Sequence, residues 1–212
     1  MKLLIIGATG PTGRELVKQA LGQGHEITVL VRDATKAAFA PPVRMVVGNV
    51  LDAASLKAAV AGQDAVISAL GSSPSGPFKE PTMLTDGTRN LVAAMRSADV
   101  DRLVLITGVG AGTSKGHGPW FYNGLIQPLV LRGTYHDKTR QEQVVRDSGL
   151  DWTLVRPAIL TNGPGKGLPA VRVFTKLAGV KAGTIRRTDV AAFCLDELTG
   201  CRLLRQAPLI TH

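Results

Sequence analysis

Three glycines near the N-terminus have the spacing that a phosphate group needs in order to lie against a backbone. Gly7, Gly10 and Gly13 follow the apolar run LLII and precede a stretch that favours a helix. In that setting the first glycine allows a sharp turn, the second leaves room for a pyrophosphate, and the third lets the helix pack closely on the strand. The pattern alone is weak evidence, so its position between strand and helix carries the prediction of a dinucleotide site. A glycine-rich turn without a ligand is the alternative.

The residues between these glycines suit the same chemistry. Pro11 falls in the first helical turn, where the N–H that proline lacks would have no partner within the helix. Neighbouring amides and the helix dipole then remain for an anion, and Thr9 and Thr12 add hydroxyl donors.

The end of the second apolar run, EITVLV, is where such a site selects its cofactor. An acid there binds the ribose hydroxyls, whereas an arginine accommodates a 2′-phosphate. This chain has Arg32, with Lys36 nearby as a second charge, and a guanidinium can also stack on adenine. Asp33 competes for a ribose hydroxyl, or it caps the short helix that follows. The balance favours NADP over NAD.

Length and composition predict one soluble domain. The 212 residues are 44% hydrophobic and 19% charged. No apolar run approaches the roughly eighteen residues that cross a bilayer. The four apolar residues after Lys2 are too few for a signal-peptide core, so we expect a first strand and a cytoplasmic protein.

The charged and metal-ligating residues do not cluster. The net charge of +9 is dispersed, which indicates solubility and a field that attracts anionic ligands rather than nucleic acid or a membrane. Two cysteines and four histidines are scattered without a metal-binding spacing, which predicts neither a metal site nor a disulfide: Cys194, Cys201, His25, His117, His136 and His212.

Apolar runs alternate with helical patterns along most of the chain. Such alternation predicts parallel βαβ units, and hence an α/β doubly wound parallel sheet, the Rossmann fold, in three α/β/α layers over 1–212. Val-, Ile- and Leu-rich runs without alternation indicate strands covered on both faces. The predicted strands are 3–6, 26–31, 43–47, 64–70, 102–107 and 152–157, and the predicted helices are 11–23, 53–61, 82–98 and 136–148.

Long irregular segments follow the fourth, fifth and sixth predicted strands, at 71–81, 108–123 and 161–170. All three lie beyond strand carboxyl ends, where open α/β sheets bind ligands. We therefore expect them to be substrate loops.

These motifs, with VVGNV (46–50), SALG (68–71), LITG (105–108), the segment 135–158 and TIRRTDVAAFCLDEL (184–198), resemble the atypical short-chain dehydrogenase/reductases. The resemblance covers essentially the whole chain and points to the NAD(P)H-binding, NmrA-like group that includes flavin reductase. It implies that Asn49 and Val50 flank the adenine, that Ala69, Leu70 and Gly71 run beside the cofactor, and that Pro157 and Ala158 border the nicotinamide.

Better-known members of this family carry Tyr-x-x-x-Lys, in which tyrosine transfers a proton and lysine binds the nicotinamide ribose. Lys138 resembles that lysine, with Glu142 one turn later, but the tyrosine position holds Thr134. Tyr135 is one residue out of register, which turns a helical side chain by about 100°. Either Lys138 keeps the ribose contact without the usual acid, or Tyr135 reaches in from an irregular helix start, or Lys138 and Glu142 form an exposed pair.

After the fifth strand, many relatives have a serine that touches substrate, and this chain has Thr107. Its hydroxyl can orient the nicotinamide amide or a substrate carbonyl, or merely bond backbone at a strand end.

The leading hypothesis is an NADPH-dependent reductase that passes hydride to a planar, electron-poor acceptor such as a flavin, quinone or tetrapyrrole. Solvent can protonate such an acceptor, so a missing tyrosine need not abolish activity. Trp120, Phe121 and Tyr122 can stack on its ring, or begin an apolar helix of the core or of a dimer. The alternative is a non-catalytic, NADP-sensing regulator that binds a protein partner. A monomer and a homodimer fit the sequence equally.

Overall fold

The structure, a computed structural model, describes residues 1–40, 42–71, 81–117 and 131–212, and the side chain of Lys36 lies outside this description. Strands and helices alternate along the described chain. In order they are β1 Lys2–Ile6, α1 Pro11–Gly22, β2 Glu26–Val31, α2 Ala34–Ala37, β3 Arg44–Val47, α3 Ala53–Val60, β4 Ala65–Ser68, α4 Met83–Ser97, β5 Arg102–Ile106, α5 Arg132–Arg146, β6 Asp151–Pro157, β7 Ile159–Thr161, β8 Arg172–Phe174, β9 Thr184–Arg186, α6 Arg187–Gly200 and β10 Leu209–Thr211.

Eight described strands form the main sheet, in the order β3-β2-β1-β4-β5-β6-β10-β8, and β7 pairs with β9 in a separate ribbon. Neighbours in the main sheet run parallel except β10 and β8. The central β1 lies between β2 and β4, with Ile5 opposite both Val29 and Ile67. The strand order therefore reverses at β1, and this switch point is where a doubly wound sheet opens a ligand crevice. The predicted Rossmann fold is confirmed.

Two hydrophobic cores cover the two faces of the sheet. Leu3 and Ile5 of β1 pack with α1 and α6, and Leu4 and Ile6 pack with α3, α4 and α5. Successive side chains of a strand point to opposite faces, so β1 must be apolar throughout to be buried on both. This arrangement produces the three layers that the sequence predicts.

The edge strand β3 departs from this expectation. Val47 is 61% exposed and Met45 is 36% exposed, because β3 pairs only with β2 among the described strands and lies at the rim of the sheet. Its short apolar run is therefore not a sign of burial on both faces.

The last third of the chain holds most of what the hydrophobic pattern did not predict. Helix α6 has eight buried residues between Asp189 and Leu198 and packs against α1, where Gln19 Nε2 donates to the Thr188 carbonyl at 3.0 Å. The three-residue β10 joins the sheet beside β6. Helix α5 also begins earlier than expected, at Arg132 instead of 136. None of the described helices has the length and apolar composition that a membrane span requires.

Candidate functional site

The glycine turn closes the crevice end of β1. Gly7 has φ of +76°, and the Gly10 N–H donates to its carbonyl at 3.1 Å. A Cβ on Gly7 would lie 2.5 Å from the Ala69 carbonyl oxygen, and one on Gly13 would lie 2.2 Å from the Gly7 carbonyl oxygen. Two of the three glycines are therefore required by the fold itself, the first for its left-handed backbone and the other for contact between helix and strand.

Gly10 differs from these two. A Cβ there would meet only the Gly7 carbonyl oxygen, at 3.4 Å, so packing does not require a glycine. It precedes α1, which begins at Pro11 and has no side-chain hydrogen bond at its cap. Thr9 is exposed and Thr12 half-buried beside it. A helix N-terminus without a side-chain cap, preceded by a residue without a side chain, fits the pyrophosphate of a dinucleotide.

At the end of β2, Arg32 is exposed, whereas Asp33 is hydrogen-bonded within its own segment. The Asp33 carboxylate accepts from the Thr35 amide at 3.0 Å, which fits a cap of the short helix α2. From α1, Arg14 reaches the same segment, its guanidinium 5.5 Å from the Phe39 ring centroid. This cation, in addition to Arg32 and Lys36, was not predicted from the sequence, where its signal is an arginine directly after Gly13.

The residues that the family resemblance assigns to the adenine follow β3. The Asn49 side chain accepts from the Leu51 amide at 3.1 Å in a tight turn, and Val50 is 7% exposed and packs into the core. After β4, the Ala69 amide continues the ladder to Ile6 at 2.9 Å, and Gly71 is exposed with open space around it. The cofactor contacts of Asn49, Val50, Ala69, Leu70 and Gly71 stay predictions.

At the end of β5 the structure brings together the three candidate catalytic residues. Lys138 Nζ donates to the Thr107 carbonyl at 2.8 Å. A Cβ on Gly108 would lie 3.4 Å from Lys138 Nζ and equally 3.4 Å from the Tyr135 hydroxyl, so both polar groups approach the same point of the backbone. Tyr135 therefore reaches this strand end from within the first turn of α5 and not from an irregular helix start, whereas Thr134 is buried.

The lysine lies in a desolvated position. Burial lowers the pKa of Lys138 from its usual 10.5 to about 8, against the opposing effect of the Glu142 carboxylate, which raises it. The sign follows from burial disfavouring a charged ammonium. Its charge therefore changes closer to neutral pH than that of an ordinary lysine.

We expect this shift to make stability depend on pH. Between about pH 8 and pH 10.5 the unfolded chain keeps a proton that the folded chain has released, so the free energy of unfolding rises with pH across that window. Between pH 7 and pH 10, the free energy of unfolding of the wild type should rise by on the order of 2 kcal/mol more than that of Lys138→Met. Urea unfolding of both proteins measures it. Lys57→Met, at an exposed lysine of α3, is the control. An equal difference in pH dependence between wild type and Lys57→Met would contradict the assignment of the effect to Lys138.

Glu142 does not form the exposed pair with Lys138 that was one interpretation of the sequence. It is 1% exposed and binds Arg156 of β6, whose Nε donates to Oε1 at 2.9 Å. The Thr107 hydroxyl donates to the same Oε1 at 2.9 Å. This network was not predicted from the sequence, because Arg156 is fourteen positions from Glu142, in the strand beyond α5.

Asp137, beside the candidate lysine, has a structural role. It is fully buried and accepts from the amides of Leu84 and Thr85 at 2.9 and 3.0 Å, at the beginning of α4. These amides lack partners inside their own helix, so a carboxylate from α5 caps them.

At the end of β6, Pro157 and Ala158 are buried and connect neighbouring segments. The Pro157 carbonyl accepts from the Val109 amide, and the Ala158 amide donates to the Ile210 carbonyl, both at 2.9 Å. Their proposed place beside the nicotinamide stays a prediction. The loop that follows is exposed from 162 to 169, and Asp189 binds the amides of Lys166 and Gly167 at 2.9 Å.

Trp120, Phe121 and Tyr122, together with most of the predicted loop after β4, lie outside the described residues. Among the residues that are described, no three His, Cys, Asp or Glu side chains are grouped as metal ligands. Three features meet at this edge of the sheet: a glycine turn at the switch point, a cation at the end of β2, and a lysine of α5 whose side chain reaches the end of β5. They define the class of protein as a Rossmann-fold dinucleotide-binding protein.

Residues 7–200 match the model of the NAD(P)H-binding family, and the chain belongs to that family. An uncharacterised chloroplastic protein of Arabidopsis thaliana is 32% identical over 207 residues, 93% of this chain and 71% of the relative. Photosystem II assembly factor Ycf39 of Guillardia theta is 32% identical over 155 residues, 72% of this chain but only 45% of Ycf39.

Among solved structures, ChuY, an anaerobilin reductase from Escherichia coli O157:H7, superposes with a TM-score of 0.81 at 21% identity, covering 100% of this chain and 97% of ChuY. At that identity the likeness shows a shared fold. Together with the family match, it confirms the NAD(P)H-binding family and the Rossmann fold that the resemblance implied.

Proposed function

We propose that this protein is an NADPH-dependent reductase that transfers hydride to a planar, electron-poor acceptor such as a flavin, a quinone or a tetrapyrrole-like ring. The observation that carries the proposal is the convergence of Lys138 Nζ and the Tyr135 hydroxyl on Gly108, at the same edge of the sheet as the open glycine turn. Family membership and the reductase activity of ChuY, a protein of the same fold, support it.

Each group of this chain then has a defined task. The amides at the beginning of α1 bind the pyrophosphate over Gly10, and Arg32 binds the 2′-phosphate. Lys138 binds the nicotinamide ribose, while its bond to the Thr107 carbonyl at 2.8 Å keeps it at the end of β5. Bound NADPH supplies the hydride, and the chain contributes orientation and exclusion of water. The acceptor proton comes from solvent, with the Tyr135 hydroxyl as the only other donor that we assign.

The charge of the chain segment after β6 favours an acceptor that carries acidic groups. From 157 to 188 the chain has no Asp or Glu and six cations: Lys166, Arg172, Lys176, Lys181, Arg186 and Arg187. Within the described part of the chain, none of the six forms an ion pair with a carboxylate. Such a segment beyond the strand carboxyl ends would attract a carboxylate or phosphate on the substrate.

An acceptor screen that follows NADPH absorbance tests the activity. Riboflavin and FMN share one ring and differ by a phosphate, so we expect turnover of both with a lower KM for FMN. Menadione extends the screen to quinones. The absence of steady NADPH consumption with all acceptors, under conditions where NADPH binds, would reject the reductase and favour the regulator.

Cofactor selectivity gives a separate prediction. We expect NADPH to bind at least tenfold tighter than NADH, because Arg32 offers charge-assisted bonds to a phosphate that NADH lacks. Isothermal titration of both cofactors into wild type and Arg32→Ala measures it, and Arg14→Ala tests the neighbouring cation. Equal wild-type affinities would refute the assignment of Arg32.

The second candidate is a regulator that binds NADP and a protein partner without turnover. Thr134 at the position of the usual tyrosine favours it, as does the similarity to Ycf39, which is an assembly factor. A regulator would bind NADPH with the same selectivity but consume none of it.

A further inference from the structure

Both the backbone carbonyl and the side-chain hydroxyl of Thr107 form hydrogen bonds with side chains of α5. Its carbonyl accepts from Lys138 Nζ at 2.8 Å, and its hydroxyl lies 2.9 Å from Glu142 Oε1. Lys138 and Glu142 are one helical turn apart, so they present neighbouring groups to the residue that follows β5. Thr107 is 5% exposed and has little freedom to take another orientation.

The direction of the hydrogen bond between Thr107 and Glu142 follows from the partners of the carboxylate. Arg156 donates Nε to Glu142 Oε1 at 2.9 Å and Nη2 to Oε2 at 2.5 Å, a two-point ion pair. A carboxylate held this way has only acceptor atoms, whereas a hydroxyl has a single proton and two lone pairs. The Thr107 hydroxyl must therefore give its proton to Glu142, which leaves only lone pairs for any further partner.

Packing around the ion pair keeps this arrangement in place. A Cβ on Gly112, which has φ of +51°, would lie 2.5 Å from Glu142 Oε2 and 2.6 Å from Arg156 Nη2. Arg156 Nη1 also donates to the Thr113 hydroxyl at 2.9 Å. The segment after β5 thus lies directly against the ion pair, and both residues of the pair are 1% exposed.

We propose that Glu142, held by Arg156, is a positioning residue that makes Thr107 a hydrogen-bond acceptor for the carboxamide N–H of the nicotinamide, and not a donor to a substrate carbonyl. The proposal rests on the proposed cofactor site. It decides between two tasks of Thr107 that the sequence leaves open, because a carbonyl needs a donor and an amide N–H needs an acceptor.

A cofactor analogue gives the sharpest test. In the 3-acetylpyridine analogue of NADPH a methyl group replaces the carboxamide NH₂, so the N–H donor is lost and the carbonyl is kept. We expect wild type to bind NADPH at least tenfold tighter than the analogue by isothermal titration. Thr107→Val should reduce that ratio to about twofold or less, and Thr107→Ser, which retains a hydroxyl, should keep it.

The double variant Glu142→Leu/Arg156→Met tests the positioning role without leaving a buried charge unpaired. With the hydroxyl freed to rotate, we expect the ratio to fall to about threefold or less. The chain offers a matched control at the other end of the sheet, where Arg102 donates to Glu197 Oε1 at 3.3 Å and to the Thr153 hydroxyl at 3.0 Å. Glu197→Leu/Arg102→Met should keep the full ratio, with circular dichroism verifying both folds.

The outcomes separate this inference from the proposed function. If wild type binds neither compound, the cofactor site itself is wrong. If NADPH binds but wild type does not distinguish it from the analogue, or if Thr107→Val keeps the ratio, Thr107 does not accept from the carboxamide. If both double variants change the ratio equally, Glu142 contributes only to stability.

Discussion

Replacing Gly10 with valine is expected to abolish NADPH binding while leaving the fold nearly intact. Space for the first atom of a side chain exists in the free protein, where a Cβ would approach only the Gly7 carbonyl oxygen, at 3.4 Å. The backbone of Gly10, with φ of −73° and ψ of 164°, is also one that valine adopts readily. The same space is the place proposed for the pyrophosphate, so a branched side chain would exclude it. We expect affinity to fall by more than about a hundredfold, a loss of nearly 3 kcal/mol.

Gly13→Ala is the matched control, because its Cβ would lie 2.2 Å from the Gly7 carbonyl oxygen. That variant should lower the melting temperature markedly, whereas Gly10→Val should melt close to wild type. Titration with NADPH and thermal melts followed by circular dichroism measure both properties. An unfolded Gly10→Val would mean that Gly10 is structural, and the phosphate site would lose its best support.

Lys138→Ala should have the second large effect. A ribose contact orients the nicotinamide in both the ground and transition states, so its loss raises the NADPH KM together with any loss of rate. A hydrogen bond from a charged donor makes a contribution large enough that we expect kcat/KM for NADPH to fall at least tenfold. Steady-state kinetics with the best acceptor of the screen measure it.

Tyr135→Phe is the companion variant, and we expect it to retain turnover within about fivefold. Planar acceptors can take their proton from solvent, whereas a lost general acid typically costs a hundredfold or more. The hydroxyl nevertheless lies as close to the Gly108 Cβ position as Lys138 Nζ does. A hundredfold loss of rate with unchanged cofactor affinity would therefore identify Tyr135 as the acid and overturn the solvent pathway.

The sequence by itself determined the fold class and the crevice end of the sheet. The apolar runs of β1, β2, β4, β5 and β6 are predictable because strands buried on both faces are apolar at most positions. The glycine turn is predictable for the same kind of local reason, since Gly7 has a positive φ and Gly13 lies against backbone. Such requirements act within a few residues of the chain, so they can be recognised from residue types and spacing.

Only the tertiary structure decided which polar groups meet. Tyr135 and Lys138 are in the wrong register for the family motif, yet both reach Gly108, because the position of α5 against β5 sets the reach of each side chain. Glu142 resembled the partner of a surface lysine but is buried against Arg156 of β6 and Thr107, the residue that follows β5. The strand β10 likewise joins the sheet by pairing with β6 and β8, which are distant from it in sequence. Contacts between elements distant in sequence depend on packing, and no local pattern of residue types encodes them.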